Sequence, residues 1–403
     1  MQNIVIIGTG FAGVWAALSA KRLINLHNAQ ETMSLTVISP DSHLVMRPRL
    51  YEANAKDMRA PLTELFEQAG IKLVQGTVAT VNVSEHTVNL ENVSGAVSYD
   101  RLVLAAGSRL RHPAIPGLKE HTLNIDTIAG ASAFGSHLSK LPCLPSTAAR
   151  NTVVVIGGGF TGIELAAELP SHLREVLGYD QDIQVVLVEQ AAEIGPELGA
   201  SPRPVILDGL KSQGVDLRLG AKLTSVNADG VVLSTGEQIQ SSTVVWTAGV
   251  EASPLTTQVP GEKDRLGRVV VDSFLRSPEA KDIFVTGDAA SAKADSTGHI
   301  ALMSCQHAMP MGKFAGYNVA ASLLGLDLKE YQQPYYATCL DLGGWGAVIT
   351  EGWDRKVMYS DAEGKKIKKW INGTVIYPPV MPQEALEKAD PEGEGVTLVG
   401  IFL

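Results

Sequence analysis

The stretch Ile4 to Ala17 reads IVIIGTGFAGVWAA, and Val153 to Ala167 reads VVVIGGGFTGIELAA. Each is a short apolar strand, a glycine turn and a helix with apolar periodicity. The turns are Gly8-x-Gly10-x-x-Gly13 and Gly157-x-Gly159-x-x-Gly162. The first glycine permits the tight turn. The second lets a pyrophosphate approach the backbone, and the third lets the helix pack against the sheet. Phe11, Ala12, Phe160 and Thr161 open the two helices, whose N-terminal N–H groups then point at the phosphate. One such match is a weak signal, because glycine-rich structural turns are common. Two in the same strand–turn–helix context predict a dinucleotide at both.

Working outward, each helix is followed by a second strand, Leu35 to Ile38 and Val185 to Val188. Both units therefore read as β-α-β starts of parallel sheets. Glu189 closes the second strand of the second unit. A carboxylate there can accept from both ribose hydroxyls and would repel a 2′-phosphate, which favours NAD over NADP. The matching place in the first unit holds Ser39, with Asp41 nearby. Either can bond a ribose, a weaker signal than an acid at the strand end.

The remaining pattern fits the same plan. Lys72 to Leu90 reads as short strands with turns. Tyr99 to Ala106 reads as a buried strand ending at Gly107, Val244 to Ala248 as one ending at Gly249, and Ile283 to Thr286 as one ending at Gly287 and Asp288. His112 to Leu118, with Pro113, Pro116 and Gly117, reads as a linker. A helix is expected from about Cys305 to Leu324, with Pro310 in its first turn or kinking it. The tail from about Glu330 reads as strand-rich and ends in the apolar run Val396 to Leu403. The expected class is α/β: two Rossmann-like dinucleotide-binding domains and a small strand-rich C-terminal region. The boundaries are 1–112 with 250–329 for the first domain, 113–249 for the second and 330–403 for the tail.

Composition narrows the function. The 403 residues carry 33 Lys and Arg against 43 Asp and Glu, a net charge of -10. That argues against nucleic acid as a partner. The 39 glycines exceed the usual level of roughly 7% and suit several tight turns. Three separated cysteines, Cys143, Cys305 and Cys339, exclude a disulfide framework and a Cys-rich zinc site, and suit a reducing compartment. No metal site is expected. Met1 runs straight into a strand, so no secretory signal is expected, and no apolar run reaches the length of a spanning helix. The protein is expected in the cytoplasm, soluble or at most peripheral to the inner face of a membrane, with a homodimer left open.

These segments as a set resemble the two-dinucleotide flavoprotein superfamily that includes the pyridine nucleotide–disulfide reductases, and within it the type II NADH dehydrogenases. The resemblance covers about 1–325. It runs through the Gly8 motif, Leu102 to Gly107 (LVLAAG), Ile115-Pro116-Gly117 and the Gly157 motif into Glu168. It continues through Val244 to Val250 (VVWTAGV), Leu266-Gly267-Arg268 with Val271-Asp272, and Phe284 to Asp288. It implies FAD in the first domain and NADH in the second, with nicotinamide stacked on the flavin. It also implies that Asp288, Arg47, Val78, Ala106 and Gly107 lie on the FAD side and Gly249 among the cofactor contacts. Glu164 would lie near the nicotinamide, and Gln306 and His307 at the isoalloxazine edge. The helix after them would aim its positive end at the reduced flavin.

Two features depart from the family pattern. No cysteine pair follows the second strand, where the chain reads His43-Leu44-Val45-Met46-Arg47, so the dithiol relay of the disulfide branch is excluded. A pairing of Cys143 with Cys339, as in sulfide:quinone oxidoreductases, is disfavoured by the intact Glu189 site, and the cysteines read as ordinary buried residues. The Gln-Gln pair that frames the quinone site in type II NADH dehydrogenases is replaced by Pro310 and Met311.

Other residues remain open between two readings. Lys365 to Lys369 reads as a solvated face, or else as a membrane or acidic-partner patch. His43, Arg47 and Arg49 read as a group stabilising reduced flavin or binding an anionic acceptor, or as a loop salt-bridge cluster. Trp345 and Trp353 fill a small core or line an acceptor pocket, with core favoured. The expected function is an FAD-containing NADH oxidoreductase delivering electrons to a quinone or other small acceptor. The rivals are a flavoenzyme acting on a small metabolite and a non-enzymatic NADH-binding redox sensor.

Overall fold

The structure is a computed structural model and describes residues 1–333 and 335–393. The apolar run Val396 to Leu403 lies outside the described residues. Two parallel sheets organise the chain. The first has five strands in the spatial order Ile283–Val285, Arg101–Leu104, Gln2–Ile7, Met33–Ser39, Lys72–Gln75. Numbered along the chain, that is 5-4-1-2-3. The second sheet runs Val215–Leu219, Gln184–Glu189, Thr152–Ile156, Thr243–Trp246, or 3-2-1-4. Both orders reverse direction beside their first strand, where doubly wound sheets bind ligands at the strands' carboxyl ends. Both glycine turns stand at those ends.

The first sheet takes its strands from before residue 112 and from after residue 250. The chain crosses between the sheets through an antiparallel pair, Ser108–Leu110 with Val250–Ala252. The central strands are near-continuous apolar runs because both faces are covered. Ile4 to Ile7 and Val153 to Ile156 are all buried.

The helix Cys305–Leu324 packs lengthwise on Phe11–Leu26. Small residues make the approach close. A Cβ on Gly312 would stand 2.3 Å from the Ala12 carbonyl oxygen, and one on Gly316 2.1 Å from that of Ala16. This contact fixes the helix N-terminus beside the first glycine turn.

Two expectations are corrected here. Pro310 sits in the second turn of a continuous helix, not the first. It has no N–H to give the Gln306 carbonyl one turn back. The side chain of Gln333 supplies that bond instead, Nε2 donating to the Gln306 oxygen at 3.2 Å. The tail is only half strand. Three antiparallel strands, Ala337–Asp341, Ala347–Glu351 and Lys356–Tyr359, are followed by the helices Asp361–Trp370 and Pro382–Lys388. The sequence DAEGKKIKKW buries Gly364, Ile367 and Lys368 at helical spacing. Its acids lie in the first turn and lysines in the last, as the helix dipole favours. Among the described residues no helix is long and apolar enough to cross a membrane.

Candidate functional site

One cleft of about 2350 Å³ joins both sheets and the C-terminal layer. A pocket for one small ligand is roughly 300–1,000 Å³. The volume therefore suits more than one large ligand. Its lining includes Gly8, Gly10, Phe11, Ala12, Ser39, Arg47, Val78, Ala106, Gly107, Asp288, Gly157, Gly159, Phe160, Thr161, Glu164, Glu189, Gly249 and Gln306. Gly13, Gly162 and His307 do not line it.

The glycine turns pass a steric test for dinucleotides. A Cβ on Gly13 would stand 2.0 Å from the Gly8 carbonyl oxygen, and one on Gly162 1.8 Å from that of Gly157. Those glycines serve helix–strand packing. A Cβ on Gly10 or Gly159 would meet no atom within 4 Å. Their open side is the space where a phosphate approaches the helix N-terminus.

At the first turn, Thr9 and Ser39 share a hydroxyl hydrogen bond of 2.8 Å. Ser39 is thus occupied by the turn, while Asp41 accepts from His43 Nδ1 at 2.8 Å. At the second turn both Glu189 oxygens hold backbone. Oε2 accepts from the Gly158 N–H and Oε1 from the Ala191 N–H, each at 2.7 Å. The carboxylate is fixed at the end of its strand and also lines the cleft.

Arg47, Pro48 and Arg49 form no common cationic cluster. Arg47 Nη1 donates to Ser108 Oγ at 2.7 Å, and its Nε donates to Asp126 Oδ1 at 3.1 Å. Ser108 Oγ in turn donates to Asp288 Oδ2 at 2.6 Å. Burial pushes the Asp288 carboxyl up, with Ser108 and Arg47 pulling it back. Arg49 turns the other way, to Glu52 at 2.7 Å and to Tyr377 Oη at 3.0 Å. It anchors the C-terminal layer. Asp126 is a lone polar residue with no motif around it, and Ser108 directly follows the Leu102 to Gly107 segment without being singled out by it.

The helix N-terminus also differs from expectation. The Gln306 side-chain amide pairs with Ala337, accepting its N–H at 2.9 Å and donating to its carbonyl. Its polar head is taken by a strand edge. His307 lies wholly buried behind the cleft wall. Its Nδ1 donates to Gln333 Oε1 at 2.9 Å, its ring stacks on Tyr336, and burial holds its pKa down to about 4.

Glu164 is buried and does line the cleft. Its Oε1 lies 2.7 Å from Lys368 Nζ and accepts the Asp341 N–H at 3.0 Å. Burial pushes its carboxyl up, and Lys368 pulls it partly back. Burial alone would lower Lys368, but the Glu164 charge and hydrogen bond, with Cys339 and Asp341, together outweigh it and raise the ammonium above an ordinary lysine. Lys365 pairs with Asp341 at 2.5 Å and Glu168 at 3.2 Å. The lysine run is therefore neither a solvated face nor a docking patch at these two positions. Only Lys366 and Lys369 are exposed.

The cysteines divide as well. Cys143 is exposed, while Cys305 and Cys339 are half-buried in the cleft wall. Burial pushes the latter thiols up to about 11 and about 12, so both stay protonated near neutrality. Trp353 lines the cleft and stacks on Tyr336 at 4.6 Å, whereas Trp345 packs against the core.

Comparison with known proteins agrees with this geometry. An "NADH dehydrogenase-like protein" of Mycobacterium tuberculosis is 43% identical over 383 residues, covering 94% of this chain and 95% of its own. A type II NADH:quinone oxidoreductase of Haemophilus influenzae is 26% identical and covers 86% of each chain. The solved structure of NDH2 from Plasmodium falciparum with NADH superposes with a TM-score of 0.78 at 12% identity, over 96% of each chain. The family model for pyridine nucleotide-disulphide oxidoreductases matches residues 2–312. The chain belongs to the pyridine nucleotide-disulphide oxidoreductase family.

Proposed function

We propose that the protein is an FAD-dependent NADH oxidoreductase that passes electrons to a quinone or a similar small acceptor. The observation that carries this reading is the opening of two phosphate cradles, at Gly10 and Gly159, into one continuous cleft. The chemistry supplied by the flavin, when bound, is acceptance of a hydride from NADH and its release as electrons to the acceptor.

The chain's own residues bind and orient. Gly10, with the helix beginning at Phe11, would hold the FAD pyrophosphate, and Asp288 with Ser108 and Arg47 would bind the same cofactor. Gly159 and Glu189 hold NADH by its pyrophosphate and ribose. Glu164 stands where the NADH helix, the first residue of the Cys305–Leu324 helix and the C-terminal strands meet. The buried Glu164–Lys368 pair would hold a proton at the cleft wall. Cys305 and Cys339, as neutral thiols, leave the acceptor face apolar and form no dithiol relay.

The protein works in the cytoplasm or against the inner face of a membrane. The test is reduction of the purified holoprotein with NADH, then reoxidation by a panel of quinones, dyes and oxygen. Rapid reoxidation by a quinone supports the reading. Reduction followed by a long-lived reduced flavin with every acceptor favours the redox-sensor alternative.

A further inference from the structure

The Cys305–Leu324 helix carries a line of cleft-facing residues that continues past the cofactor end. Gln306, Met309, Pro310 and Lys313 all line the cleft. Their spacing puts them on one helix face. Lys313 is half-buried, with Nζ 4.8 Å from the centre of the Trp15 ring. Among the described residues no carboxylate makes an ion pair with it, although the Asp390 charge acts on it from further off. Asp390 is held by Arg22 at 2.5 Å, Glu392 by Lys329, and Glu384 by Lys388 at 2.8 Å. A second cation, Lys388, also lines the cleft.

A half-buried ammonium that no described carboxylate contacts costs free energy, and an aromatic face with the more distant Asp390 charge returns only part of it. Burial accordingly pulls the Lys313 pKa down. A neutral filler such as methionine would pack there at lower cost. The lysine is best explained by a ligand that brings the missing negative charge.

We propose that the acceptor arm of the cleft ends in an anion subsite, with Lys313 as its cation and the Trp15 face as its floor. This rests on the oxidoreductase reading above. From Gln306 to Lys313 the helix rises about 10 Å, at about 1.5 Å per residue. The acceptor class is therefore a planar redox ring bearing a carboxylate or phosphate on a chain of about that length. Pro310 and Met309, between the two ends, give the chain an apolar wall. The replacement of a glutamine pair by Pro310 and Met311 then has a purpose, because recognition has moved from the ring to the far end of the acceptor.

The probes are a 2-methyl-1,4-naphthoquinone with a carboxyl-terminated alkyl chain of eight carbons, and its methyl ester. Binding to the oxidised holoprotein is read by quenching of tryptophan fluorescence without NADH. Reoxidation of the NADH-reduced holoprotein is read separately at the flavin band. The acid is expected to bind about tenfold tighter than the ester, the value of one charge-assisted contact. Lys313→Met should bring the acid to the ester's affinity, and Lys313→Arg should keep the preference. Equal binding of acid and ester, or a preference that survives Lys313→Met, overturns the subsite. If the acid binds through Lys313 but neither quinone reoxidises the flavin, the subsite stands and the quinone-reductase reading falls. If both reoxidise it with no preference, the reverse holds.

Discussion

Lys368 and Glu164 lie 204 positions apart in sequence and meet at 2.7 Å in a buried ion pair. This contact ties the C-terminal helix to the helix of the second glycine turn. Removing one partner strands the other charge. Lys368→Met should lower stability by about 3 kcal/mol or more. Adding Glu164→Gln to that variant should recover part of the loss, since the lone carboxylate is then gone. Chemical denaturation of the four-member cycle measures it.

The two glycine cradles make separable predictions. Gly10 and Gly159 have extended backbone that alanine adopts readily, with φ of -69° and -82°. An added methyl touches no protein atom at either place. Gly10→Ala should therefore leave the fold within about 1 kcal/mol of wild type while sharply lowering FAD content. Gly159→Ala should retain the yellow colour and lose NADH affinity. Absorbance ratio and NADH titration read the two effects.

Glu189 organises its own turn and offers its remaining lone pairs to a ribose. Glu189→Ala should weaken NADH binding roughly tenfold to a hundredfold, from the loss of charged hydrogen bonds. FAD content should hold. Isothermal titration with NADH checks this.

His307 gives a pH signature. Its folded pKa is held down to about 4 by burial. The unfolded value is about 6.5. The unfolded chain therefore binds the proton first. Stability from the neutral ring is complete above about pH 6.5 and is lost as pH falls towards 4, by about 3 kcal/mol. His307→Gln should flatten that part of the stability–pH curve, measured by denaturant melts from pH 7 to 4.

Gln333 is the hub behind that histidine. It accepts from His307 Nδ1 and Tyr331 Oη, and it donates to the carbonyl that Pro310 leaves bare. Gln333→Leu should cost at least about 2 kcal/mol, because several buried groups lose their partner together. Pro310→Ala in that background should restore part of it, since the helix regains its own N–H donor.

The legible parts of this molecule are those where chemistry constrains neighbours in sequence. Gly8 to Gly13 and Gly157 to Gly162 could be read because backbone approach demands glycine at fixed spacing. The Cys305–Leu324 helix could be read from its helical pattern, and it ends at Gly325 in a left-handed conformation at φ 67°. Lys365 and Lys368 could not. Their partners Glu164, Glu168 and Asp341 are distant in sequence, and a lysine facing a buried acid is spelled like one facing water. Arg47 and Arg49 are two positions apart yet serve different layers, because the short turn Arg47–Arg49 points them in opposite directions. Gln306 fell between these cases. It lines the cleft as expected, but the Ala337 strand that takes its amide lies in a region with no motif.

The central claim is hydride transfer from NADH to a flavin held by the first glycine turn. Anaerobic stopped-flow of the purified holoprotein tests it most directly. A yellow protein is expected whose flavin band bleaches on mixing with NADH and does not bleach with NADPH at the same concentration. A colourless protein that FAD cannot reconstitute, or a flavin band that NADH leaves untouched, would contradict it.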